Sequence, residues 1–347
     1  MRSRFVRNAA ATFFVLAGGI SAQNPHFQVY LAFGQSNMEG QGVIGSQDQA
    51  EHKRFKNMAA LTCGSRTQGK WVAATAPIVR CNTKLSPLDW FGRTLADSLP
   101  VTDTVGVVAV AVAGSKIEGF DQSTYQSYYS TQQSWMTNIV ALYGGNPYAR
   151  LVAVAKEAQK TGVIRGILLH QGESNTGDAQ WASKVKKIYQ SLLKDLGLDS
   201  NQVPLLAGEV APTGVSSGAN SMVDALPKTI STAYVVSAKS LTIDNSDGQN
   251  VHFDAASYRT LGSRYAQTML SYLKTHPVSV APRSSAVLAK SEYILYDVDG
   301  SLVARLHPGE ASSLDAEWNR IRNSLPNGIY FARALMGGQT VKLANGR

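Results

Sequence analysis

Five apolar, β-branched runs recur along the chain: Val29–Phe33, Val105–Ala113, Val163–His170, Val203–Val210 and Ala233–Ala238. Between them, Leu88–Leu99, Asn146–Lys160 and Ala179–Leu196 carry apolar residues near three- and four-residue spacing. The same spacing predicts a further helix over Ala255–Lys274. Continuous apolar strands alternating with amphipathic helices predict an α/β fold, a parallel sheet covered on both faces. Ligands of such sheets bind beyond the carboxyl ends of the strands. Ser36, Gly114 and His170 all fall at such ends.

The pattern changes after this region. Thr275–Ser285 has two prolines and several Ser/Thr breaks without periodicity, which predicts a linker reaching to about residue 291. Beyond it, Glu292–Gly300 and Ser301–Leu306 read as two strands joined at Asp299-Gly300. Leu325–Arg333 and Gln339–Leu343 read as a second pair, so residues 292–347 are expected to form a small β module.

The amino terminus departs from both patterns. Arg2, Arg4 and Arg7 precede an apolar stretch, Ala9–Ile20, that is too short to span a bilayer, and Ser21-Ala22 are small. Residues 1–22 are therefore expected to be a secretory signal cut ahead of Gln23, an uncleaved anchor being the alternative. Without those three arginines the net charge falls from +9 to +6. The remaining basic residues are scattered, with no arginine-rich stripe and no interleaved aromatics, so nucleic acid is not an expected partner. Contact with an acidic cell surface or wall polymer suits the charge better. An exported chain with two cysteines, Cys63 and Cys81, is expected to pair them in a disulfide. Without a nearby histidine pair they do not make a zinc site.

Four polar blocks interrupt the apolar pattern. Gly34-Gln35-Ser36-Asn37 follows the first strand and delivers a serine, although not in the Gly-x-Ser-x-Gly spacing of the α/β-hydrolase elbow. Gly114, past the second strand, lets a backbone N–H approach a substrate oxygen. His170-Gln171-Gly172-Glu173-Ser174-Asn175 crowds polar side chains at the end of a buried strand, which is costly unless they are used or hydrogen-bonded. The fourth, Asn245–Asp254, contains His252 ahead of the last predicted helix.

These blocks, in this order, resemble the SGNH hydrolases, and most closely the branch of carbohydrate esterase family 6 (acetyl xylan esterases) and the sialate O-acetylesterases. The resemblance covers about Val29 to Tyr272. It implies a three-layer α/β/α, flavodoxin-like sheet and a serine esterase that removes O-acetyl groups from a carbohydrate. Ser36 would be the nucleophile and His252 the general base. The Ser36 and Gly114 N–H groups, with Gln171 nearby, would form the oxyanion hole, and Glu173 would be the carboxylate supporting the imidazole. His170 is expected to be structural, since a cation site with Glu173 lacks further ligands. The chain departs from the family at Gln249, where Asp usually stands three residues before the histidine. Asp247 is the alternative acid. No metal or organic cofactor is implied.

The segments Leu61–Gly64 and Arg80–Arg93 resemble the acetyl xylan esterase branch, which makes acetylated xylan the expected substrate and O-acetylated sialic acid the second choice. The tail, with its Gly-Ile-Tyr-Phe and Val-Lys-Leu elements, resembles the sorting or surface-attachment modules of type IX-secreted bacterial proteins. Tyr125, Tyr128, Tyr129 and Trp135 offer faces on which sugar rings pack, or else form a satellite core. A surface carbohydrate-binding protein on the same scaffold, without activity, is the alternative from a different class.

Overall fold

The computed structural model describes residues 23–276, 292–306, 314–334 and 340–345. The expected signal segment lies outside them, as does the expected linker from residue 277 onward. Thr275, placed in that linker from the sequence, instead ends the last helix of the main unit.

In the first unit seven strands form one sheet: β1 (Asn24–Gly34), β2 (Phe55–Met58), β3 (Trp71–Ala73), β4 (Thr104–Ala111), β5 (Gly162–His170), β6 (Leu205–Gly208) and β7 (Ala233–Val236). Their order is β3-β2-β4-β1-β5-β6-β7. Neighbours run parallel except at the edge, where β3 pairs antiparallel with β2.

Period-two alternation sends the side chains of each central strand to opposite faces. Val29, Leu31 and Phe33 of β1 join Val108 and Val110 of β4 beneath the helices Pro147–Ala158, Trp181–Leu196 and Asn220–Thr229. Tyr30, Ala32, Val107 and Ala109 join the other core, under the helices Pro87–Ser98 and Ala255–Thr275. Each fully buried Leu or Phe of these two layers stabilises the fold by roughly 1.5–3 kcal/mol.

The topology places the site. From β1 the chain runs to the face carrying Pro87–Ser98, whereas from β4 it runs to the face carrying Pro147–Ala158. Adjacent strands whose connections part in this way leave a crevice at their carboxyl ends. Gly34 sits there in register with Ala111 of β4 and with His170 of β5.

The second unit has four antiparallel strands, β8 (Tyr293–Asp297), β9 (Leu302–Leu306), β10 (Gly328–Ala334) and β11 (Thr340–Asn345), in the order β11-β10-β8-β9. Tyr293, Leu295, Leu306, Trp318, Tyr330 and Ala332 form its own small core. Trp318 comes from a helix, Leu314–Ile321, that the sequence reading omitted. Among the described residues no helix is long and apolar enough to cross a membrane.

Candidate active site

The turn after β1 is set by one glycine. Gly34 has φ +156°, and a Cβ there would lie 2.1 Å from the His170 carbonyl oxygen, so only glycine fits. The Gln35 N–H donates to that carbonyl (3.1 Å), and the Val112 N–H donates to the Gly34 carbonyl (3.1 Å). Held from both sides, the chain turns into the short helix Ser36–Glu39 with Ser36 at its start.

Ser36 meets the histidine expected as its base. The Ser36 Oγ lies 3.0 Å from His252 Nε2, hydrogen-bond distance for proton transfer, and both residues are buried at the floor of a cavity of about 450 Å³. The His252 carbonyl accepts from the Asp244 N–H (2.9 Å), and the next residues enter the helix Ala255–Thr275, whose first turn is capped by Asp254.

Gly114 stands across the cavity with φ +68°. A Cβ there would come within 2.7 Å of the Trp135 ring. Among the described residues, neither the Ser36 N–H nor the Gly114 N–H has a hydrogen-bond acceptor. Two such donors at the cavity wall are what a developing oxyanion needs. Trp135 forms part of that wall with its ring about half exposed. The other aromatics of its segment divide: Tyr129 is buried in the core, while Tyr128 lines an adjoining cavity of about 650 Å³ together with Lys116 and Gln132.

Gln171 does not join the oxyanion wall. It is buried behind it, with Nε2 donating toward Asn175 Oδ1 (2.7 Å), Gln35 Oε1 (3.1 Å) and the Ser115 carbonyl (3.3 Å), and Oε1 accepting from Trp181. Its two amide hydrogens are thus taken up by Asn175 and by the loops that carry Gln35 and Gly114. It braces the site without reaching into it.

Glu173 lines the cavity yet bonds to Asn37, not to the His252 ring. Its Oε1 accepts from Asn37 Nδ2 at 2.6 Å and lies 3.7 Å from His170 Nε2. Burial raises its pKa, and the Asn37 hydrogen bond offsets this only in part. His170 is fully enclosed, and burial pulls its pKa down to about 3, which keeps the ring neutral. Gln249 lies exposed at the cavity rim. The backbone of Asp247 closes the turn Asn245–Asp247, while its side chain is outside the described residues.

Two features near the nucleophile were not anticipated. Glu39, three residues after Ser36, forms a buried ion pair with Arg80, and its Oε1 also accepts from the Ala113 N–H (3.3 Å). Burial raises the Glu39 pKa against the opposing pull of Arg80. Arg80 is fixed in the chain beside Cys81, which is bonded to Cys63 with their Cα atoms 5.9 Å apart. Ser86, which caps the helix Pro87–Ser98, also donates through Oγ to the Met38 carbonyl (2.9 Å).

Comparison with known proteins places the fold and the family. The chain resembles a protein from Arabidopsis thaliana (22% identity, TM-score 0.55, covering 72% of this chain and 99% of the other). It also resembles NanS (14%, 0.54, 72% and 99%) and a carbohydrate acetylesterase from Xanthomonas citri (15%, 0.51, 83% and 78%). At such identities these likenesses concern the fold. The family model described as carbohydrate esterase, sialic acid-specific acetylesterase, matches residues 26–271, most of the chain. On that match, the chain belongs to the carbohydrate esterase family of sialic acid-specific acetylesterases.

Proposed function

We propose that this protein is a serine esterase that removes O-acetyl groups from carbohydrate. The observation that carries the proposal is the 3.0 Å approach of His252 Nε2 to Ser36 Oγ in a cavity lined by Ser36 and Gly114, whose N–H groups have no acceptor among the described residues. Ser36 Oγ attacks the acetyl carbonyl carbon while His252 Nε2 takes its proton. The carbonyl oxygen becomes an oxyanion held by the two N–H groups. His252 then returns the proton to the leaving sugar alkoxide. A water molecule, deprotonated by the same nitrogen, attacks acetyl-Ser36 and releases acetate.

Acetylated xylan remains the first substrate, supported by the likeness of Leu61–Gly64 and Arg80–Arg93 to the acetyl xylan esterases. Acetylated sialic acid is the second reading, and two observations favour it. The matching family model is described as sialic acid-specific. Lys116 also lines the cavity adjoining the catalytic one and makes no ion pair among the described residues, so its ammonium suits a sugar carboxylate. Export, with removal of residues 1–22, and surface attachment through the β module belong to the same proposal.

Acetate release from acetylated xylan and from acetylated sialic acid, measured side by side, tests the substrate. For an acidic sugar, Lys116→Ala should raise KM by roughly tenfold, the equivalent of one lost charged hydrogen bond, and leave xylan unaffected. Ser36→Ala tests the reaction itself and should lose roughly 10³-fold or more in kcat while staying folded. A folded Ser36→Ala protein with a tenth of the parental activity would end the proposal.

A further inference from the structure

Asn37 is fully buried directly after the nucleophile, and all four of its amide hydrogen-bonding positions are used. Nδ2 donates to Glu173 Oε1 (2.6 Å) and to the Val251 carbonyl (2.9 Å). Oδ1 accepts from the Tyr258 hydroxyl (2.5 Å) and from the Phe253 N–H (3.4 Å). Val251 and Phe253 flank His252. One side chain therefore ties the nucleophile's turn to the peptide on each side of the base. A flipped amide would set Oδ1 against two acceptors, Glu173 Oε1 and the Val251 carbonyl, so Glu173 helps fix which way Asn37 faces.

Among the described residues, no lysine or arginine forms an ion pair with Glu173. The Tyr265 hydroxyl gives its hydrogen to the Leu169 carbonyl (2.6 Å) and so accepts from His170 Nδ1 (3.3 Å). With Nδ1 carrying the ring hydrogen, neutral His170 turns the lone pair of Nε2 toward Glu173 Oε1. Glu173 Oε2 is buried without a hydrogen-bond partner.

We infer that Glu173 is a positioning residue that acts through Asn37 on the His252 backbone, and that it does not supply the charge that stabilises the imidazolium. This rests on the Ser36–His252 reading above and deepens it. An amide at position 173 keeps what Asn37 uses, because its carbonyl oxygen can accept from Nδ2 as Glu173 Oε1 does. A residue that furnishes charge cannot be replaced in this way, since the amide leaves the imidazolium uncompensated.

The experiment compares kcat, KM and the pH–rate profile on 4-nitrophenyl acetate for Ser36→Ala, Asn37→Ala, Glu173→Leu, Glu173→Gln and the double variant Asn37→Ala/Glu173→Leu, with circular dichroism to confirm folding. Glu173→Leu should lower kcat by roughly 10²-fold with KM little changed, the scale of a small misplacement of reacting groups. Glu173→Gln should recover most of that loss and keep the parental pH profile. The double variant should lose little more than Asn37→Ala alone, because the two residues act in series. If Glu173→Gln is as inactive as Glu173→Leu, or its acid limb moves, Glu173 supplies charge and the inference is overturned. Multiplying losses in the double variant would overturn it as well. If Glu173→Leu does not fold, Glu173→Gln decides alone, against the ~10⁴-fold loss known for amide replacement of a triad acid. An active Ser36→Ala would instead overturn the underlying reading, which separates the two failures.

Discussion

Replacing Gly114 by alanine separates the geometry of the oxyanion wall from the stability of the fold. Gly114 has φ +68°, a region where a residue with a Cβ is strained by about 1–2 kcal/mol. In a domain of this size such a cost lowers Tm by about 2–8 °C. The added Cβ also falls 2.7 Å from the Trp135 ring, but that ring is half exposed and can swing outward, so the clash adds little to the strain. Activity should respond far more strongly. If the Gly114 N–H holds the oxyanion, the turn's adjustment moves a donor, and kcat should fall by about 10²- to 10³-fold, the range for one lost oxyanion contact. The measurement is kcat on 4-nitrophenyl acetate together with Tm, for Gly114→Ala, Trp135→Ala and the double variant. Trp135→Ala in the Gly114→Ala background should relieve the clash without restoring kcat. A double variant that regains parental kcat would mean that the loss came from a displaced Trp135, and a Gly114→Ala protein within threefold of parent would remove Gly114 from the oxyanion hole.

Two further outcomes follow from the disulfide and from a buried histidine. Exported protein should show no titratable thiol when denatured without reductant, because Cys63 and Cys81 are bonded; two thiols per chain would refute the bridge. His170 makes stability depend on pH: unfolded, it binds a proton below about 6.5, whereas folded it stays neutral down to about 3. Stability is therefore lost as pH falls through that window, by up to about 5 kcal/mol from this group. Glu173 and Asp89, whose pKa values burial raises, act in the opposite direction, so the comparison is between parent and His170→Gln. Denaturant midpoints from pH 7 to pH 4 should fall more steeply in the parent, and equal slopes would show that His170 is not held neutral.

The parts of this molecule that were legible in the sequence are those where one physical requirement dominates. The runs Val29–Phe33, Val105–Ala113 and Val163–His170 had to be predominantly apolar, because both faces of the sheet are covered, with Arg165 a buried exception, and their ends located Ser36, Gly114 and His170. Phe55–Met58 and Trp71–Ala73 escaped notice because they are four and three residues long, and Lys56 and Asn57 break any apolar run. Asn220–Thr229 carries Pro227 inside the helix, which masks its periodicity. Within the site, the approach of Ser36 and His252 followed from block order. The partners of Glu173 and Gln171 did not, because a side chain's hydrogen bonds depend on which of several nearby polar groups the backbone turns toward it. Asn37 reaches Glu173 first, and Asn175 takes the Gln171 hydrogen.

The buried pair of Arg80 and Glu39 has a consequence for how this chain can vary. Removing either partner of a buried ion pair strands a charge and costs about 3–5 kcal/mol, while replacing both by matched apolar residues is often neutral. Positions 39 and 80 should thus tolerate change only together, although 41 residues apart in sequence. Random libraries that alter one position at a time will find both intolerant and mistake them for parts of the chemistry. A library that changes them jointly will reveal a pair whose identity is free but whose agreement is not.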